Sequence, residues 1–145
     1  HSFPTRRSSD LYLAAIHEGR FKTFIAHDGI FNWKSMYGTT EELFFVNFDL
    51  GGAYWEKDNK AAQKSYTVFN PVERVEDWTA PIMVIQGGKD YRVPIGQGLE
   101  AFQAAQLQGI KSRLLYFPEE NHWVLDHQNS LVWHTEFYKW LKETL

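Results

Sequence analysis

A chain of 145 residues, 43% hydrophobic and 23% charged, is long enough for one folded domain and contains no run of 18 apolar residues that could span a membrane. The net charge of −3 argues against a nucleic-acid footprint, and the absence of cysteine excludes disulfide scaffolds, thiol catalysis and cysteine-ligated zinc. Aromatic residues make up 17%, a supply that can fill a core or line a peptide- or sugar-binding cleft.

Residues 1–11, HSFPTRRSSDL, carry neither a hydrophobic period nor the apolar stretch of a secretory signal. They match the in-frame translation of a common sequencing adapter and are set aside as foreign. On that reading residues 12–145 are the C-terminal portion of a larger domain.

In chain order, a short helical pattern over residues 13–16 ends at Gly19. Residues 21–26, β-branched and aromatic, predict a strand closing at Asp28-Gly29. Residues 31–69 are irregular and rich in aromatics, with short helices expected over 41–48 and 59–66; pocket wall and plain core packing both account for this stretch. After a turn at Asn70-Pro71, residues 81–86 form the continuous apolar run of a buried parallel strand. A helix is expected from 95 to 108, a second strand over 112–117, and a last helix from Asn129 or Ser130. That helix should turn Leu131, Phe137, Tyr138 and Leu141 inward, with Trp133 and Trp140 beside them. Strand, helix, strand, helix with short loops predicts an α/β fold whose mostly parallel sheet has helices on both faces.

In open α/β sheets, reactive residues gather in loops at the carboxyl ends of the strands. Two such loops carry chemistry: Gly87-Gly88-Lys89-Asp90-Tyr91-Arg92-Val93-Pro94 and Pro118-Glu119-Glu120-Asn121-His122-Trp123. Neighbouring parallel strands would bring Asp90 and His122 to one sheet edge. There a carboxylate can fix the imidazole tautomer and leave the other ring nitrogen to take a proton from a nucleophile. Alone, Asp90 reads as a cap for the helix after Pro94 and His122 as a surface or satisfied core residue. Together, in the order acid then histidine, they follow the chain order of α/β-hydrolases. Glu119, Glu120 and Asp126 are weaker acid candidates because they share the loop of His122. His127 and His134 belong with the last helix, and His17 and His27 show no metal-ligand spacing.

The two loops resemble the acid and histidine motifs of the prolyl oligopeptidase family of serine peptidases. Gln97-Gly98-Leu99 and Asn129-Ser130-Leu131-Val132-Trp133-His134 fit the same family. His27-Asp28-Gly29-Ile30-Phe31-Asn32-Trp33 and Ser35-Met36-Tyr37-Gly38-Thr39-Thr40-Glu41-Glu42 resemble its dipeptidyl-peptidase 5 and acylaminoacyl-peptidase branch. The resemblance implies the C-terminal part of an α/β-hydrolase catalytic domain, normally preceded by a β-propeller. It also implies short peptide substrates, no metal or organic cofactor, Asp90 as triad acid and His122 as general base.

The nucleophile is where the chain departs from that family. Its Gly-x-Ser-x-Gly-Gly elbow would place the serine at Ser8, but Arg6, Asp10 and Leu11 stand where glycines are required. Ser8 is therefore read as a coincidence of position and the chain as lacking its nucleophile. An esterase or lipase of the same fold, and a non-catalytic binding module that keeps the fold, are the alternatives; only the motifs over residues 27–42 favour the peptidase.

Overall fold

The structure, a computed structural model, describes residues 9–145. Three parallel strands, β1 (Phe24–His27), β2 (Ile82–Gly87) and β3 (Ser112–Phe117), form one sheet in the order β1-β2-β3. Phe24 pairs with Ile82 and Ile82 with Ser112, so the carboxyl ends of all three strands lie at the same edge.

Central strand β2 is buried along its whole length, which its unbroken apolar run requires. Its side chains alternate between two cores. Ile82 and Val84 pack with Leu11, Ala14, Phe31, Trp78, Ala101 and Ala105, contributed by α1 (Ser9–Ile16), α5 (Gly96–Leu107) and the segments between. Met83 and Ile85 face the opposite way, onto Phe117 and the fully buried Trp140 of α6 (His127–Thr144). The sheet thus has helices on both faces, as expected of the C-terminal part of an α/β-hydrolase fold. Gln86 continues the first face and donates to the Val93 carbonyl at 2.9 Å. Gly98 packs directly against it: a Cβ there would stand 2.8 Å from Gln86 Oε1 and 3.1 Å from its Cβ.

The segment between β1 and β2 holds α2 (Trp33–Thr39), α3 (Leu43–Leu50), α4 (Lys60–Thr67) and a 3-10 helix (Pro71–Asp77). Trp33, Met36, Val46, Leu50, Ala62 and Tyr66 form a separate core with Val93. The buried Asn70 side chain ties that core together, accepting from the Trp33 amide and donating to the Tyr66 carbonyl.

Several boundaries differ from the sequence expectation. Strand β1 starts at Phe24 rather than 21, because its partner strand begins only after Pro81, which has no N–H for the ladder. α1 begins at Ser9 rather than at 13; Leu11 is buried and its carbonyl accepts the Trp78 indole N–H at 3.1 Å. α6 begins at His127, where the Asp126 side chain accepts from the Gln128 and Asn129 amides. Of the residues expected to face inward on α6, Leu131 and Tyr138 are 68% and 65% exposed. Trp140 fills the core in their place, with its indole N–H on Thr23 Oγ1 at 2.8 Å.

Candidate active site

The loop after β2 and the loop after β3 are joined by backbone hydrogen bonds before any side chain is considered. Gly88 N–H donates to the Phe117 carbonyl and Lys89 N–H to the Glu120 carbonyl, both at 2.8 Å. The two backbones lie so close that a Cβ on Gly87 would stand 2.2 Å from the Asn121 carbonyl oxygen. Only glycine permits that approach.

This contact brings Asp90 and His122 together. Asp90 is almost wholly buried, and its Oδ1 accepts the Arg92 and Val93 amides at 3.0 and 2.8 Å. Its Oδ2 lies 2.7 Å from His122 Nδ1. A carboxylate so placed accepts the Nδ1 proton and leaves Nε2 as the nitrogen able to take up another. The helix-cap role considered for Asp90 is not what its side chain does, since both amides it binds precede α5.

The histidine loop has its own anchor. Glu120, an alternative acid on sequence grounds, is turned away from His122 and accepts from the Leu125 and Asp126 amides and from Asn129 Nδ2. The Asn129 amide, then the Leu125 backbone N–H, hold its carboxyl below the ordinary range. Glu119 pairs with Lys89, and Asp126 caps α6. His134 bonds the Ser130 carbonyl within α6, and His17 packs edge-on against Phe24. Ser8 lies outside the described residues.

His122 opens on a cavity of about 360 Å³, lined among others by Tyr91, Arg92, Asn121, Trp123 and Glu41. The Arg92 guanidinium lies 5.2 Å over the Trp123 ring and pairs with Glu42 at 2.5 Å. From the aromatic-rich segment 31–69 only Glu41 lines this cavity, while Trp33 and Tyr66 belong to the separate core.

Two residues not chosen from the sequence complete the cluster. Asp28, at the carboxyl end of β1, is buried with φ +50°, and its Oδ2 stands 3.6 Å from His122 Nδ1. His27 Nε2 lies 3.4 Å from the same oxygen. Burial first, then the nearby His122, holds His27 below the ordinary histidine range. The strand-end rule that picked out Asp90 and His122 applies equally to Asp28. Asp28, Asp90 and His122 are also the one group among the described residues whose ligand atoms converge within 4.8 Å as a metal site would require. A metal there would have to replace the 2.7 Å contact between Asp90 and His122.

The chain is 48% identical over 134 residues to dipeptidyl-peptidase 5 of Porphyromonas gingivalis and 46% identical to that of Porphyromonas endodontalis. Each match covers 92% of this chain and 19% of the relative, so the chain spans about a fifth of the length of these curated relatives. Among solved structures it resembles the Pyrococcus horikoshii acylaminoacyl peptidase, with a TM-score of 0.76 and 20% identity, over 93% of this chain and 22% of that one. Dipeptidyl peptidase 4 of P. gingivalis superposes with a TM-score of 0.76 at 16% identity, over 93% and 18% of the two chains. The profile of the prolyl oligopeptidase family matches residues 11–145, essentially all of the described chain, and the protein belongs to that family.

Proposed function

We propose that this chain is the C-terminal portion of the catalytic domain of a serine exopeptidase that removes dipeptides, or acylated residues, from short peptides. In the intact enzyme His122 takes the proton of a serine hydroxyl through Nε2 while the serine oxygen attacks the scissile carbonyl. The imidazolium then passes that proton to the leaving amine, and the same base activates the water that releases the acyl group. The observation that carries this reading is the 2.7 Å contact between Asp90 and His122 at the carboxyl ends of adjacent parallel strands. The names of the relatives at 48% and 46% identity support the dipeptidyl substrate class.

In this reading the nucleophile comes from sequence upstream of the family match. The test is hydrolysis of dipeptidyl amides, acylaminoacyl amides and simple esters by the full-length gene product that carries this segment. Amide hydrolysis is expected, with a loss of at least about 10⁴-fold in His122→Ala. Turnover of esters alone would replace the peptidase with an esterase. A gene with no upstream Gly-x-Ser-x-Gly, and a product with no turnover, would indicate a binding module.

A further inference from the structure

The Asp28 and Asp90 carboxyls and the His122 ring offer atoms within 4.8 Å of one another, and both aspartates are buried. Their surroundings differ sharply. Asp90 accepts two backbone amides and faces His122 Nδ1 at 2.7 Å. Asp28 Oδ1 is buried without a hydrogen-bond partner, and its Oδ2 stands 3.6 Å from His122 Nδ1 and 3.4 Å from His27 Nε2. Two carboxylates sharing a dry site do not both ionise. The N–H donors are gathered at Asp90, which takes two backbone amides and faces the His122 ring, whereas Asp28 Oδ1 has none. A protonated carboxyl is a donor; the acceptors beside it are Asp90, within 4.8 Å, and His27 Nε2, 3.4 Å from Oδ2, and a carboxylate is the stronger acceptor of the two.

We propose that Asp28 is a positioning residue for Asp90 and His122, held as a carboxylic acid whose O–H donates to Asp90 and keeps that carboxylate facing His122 Nδ1. The proposal rests on reading Asp90 and His122 as the acid–base pair of the site, and it adds a third member that acts through Asp90. The titratable groups facing Asp28 are His27 on β1, Asp90 after β2 and His122 after β3. Burial first, then the charge of Asp90, pushes the Asp28 carboxyl up to about 8, against the opposing Gly87 backbone N–H. His27, held low by burial, supplies no cation to draw the proton off. The backbone suits the role as well: φ of +50° is tolerated by Asp, Asn and Gly. Downstream, Gln97 Oε1 on α5 clamps the Phe31 and Asn32 amides at 2.9 and 2.8 Å, which fixes the chain that follows Asp28.

Nuclear magnetic resonance on this 145-residue chain tests the proposal without any peptidase activity. Carbon-13 at the aspartate carboxyls is followed through pH, together with the His122 Nδ1 proton, in the parent, Asp28→Asn and Asp28→Gly. The Asp28 carboxyl should stay protonated while exposed aspartates ionise, and lose its proton near neutral to mildly alkaline pH. The Nδ1 proton should shift in step with it in the parent. Asn, which keeps a donor, should preserve the Nδ1 resonance and abolish that step; Gly, which suits the backbone equally but donates nothing, should displace or broaden the resonance. Ionisation of Asp28 together with the exposed aspartates would overturn the proposal even if neither variant folds. So would a Gly variant whose His122 resonance matches the parent. Failure of the peptidase reading would show only in the substrate assays.

Discussion

Asp90 Oδ2 stands 2.7 Å from His122 Nδ1 across 32 residues of chain, and backbone contacts between their two loops place them there. In the full-length peptidase proposed above, Asp90→Asn should lower kcat by about 10³–10⁴-fold with a much smaller change in KM. The amide can present its N–H to the ring and so favour the wrong tautomer. Steady-state kinetics on a dipeptidyl amide checks this, and a loss below tenfold would remove Asp90 from the mechanism.

Asp28 makes stability depend on pH with a definite sign. Its folded pKa is raised to about 8 from an ordinary 3.8. The folded chain therefore binds a proton that the unfolded chain has released, and stability falls as pH rises between those values. Asp28→Asn removes this burden, so its stability relative to the parent should grow steadily from pH 4 to pH 8. Urea midpoints at pH 5 and pH 7.5 measure the change; an equal offset at both would contradict it.

Glu120 works in the opposite sense. Its carboxyl is held low by the Asn129 amide and the Leu125 backbone, so its contribution is present above the unfolded value of about 4.3 and is lost as pH falls through the folded one. Glu120→Gln should destabilise the chain at pH 7, and the gap to the parent should close at pH 3. Denaturant midpoints at the two values decide the matter.

Gly87→Ala tests the contact between the loops. Its Cβ would meet the Asn121 and Glu120 carbonyl oxygens at 2.2 and 2.7 Å, and backbone cannot rotate aside as a side chain can. A loss of about 1–3 kcal/mol in unfolding free energy is expected. The His122 ring should also leave Asp90, visible as loss of the Nδ1 proton resonance.

For Ser8, the 145-residue chain should not react with a serine-directed fluorophosphonate, because Arg6, Asp10 and Leu11 stand where the elbow needs glycines. Intact mass spectrometry reads the result. Stoichiometric labelling at Ser8 would show a working nucleophile.

Much of this protein is legible in one dimension. The unbroken apolar run before Gly87-Gly88 calls for a strand buried on both faces, and the passage from Asp90 to His122 calls for two parallel strand ends side by side. Those features are local or follow from one strand–helix–strand passage, which has a single favoured hand.

Tertiary structure alone decided the rest. On α6, residues two apart lie about 200° round the helix, so Leu131 with Tyr138 and Trp133 with Trp140 form opposing stripes of similar apolar character. Only the space beside Met83, Ile85 and Phe117 selects the second stripe. The aromatic residues of 31–69 could have walled a pocket, but Val93 and the buried Asn70 draw Trp33 and Tyr66 into a core of their own. Asp28 reads in sequence as a turn residue after a strand. Its place behind Asp90 depends on the register Phe24 to Ile82, which sets β1 beside β2 and carries the carboxyl to within 4.8 Å of Asp90 and His122. A length of 145 residues and a net charge of −3 bound the size and the classes of chemistry. Which buried carboxyl keeps its proton depends on how many N–H donors surround each, and that is settled only when three strand ends meet in space.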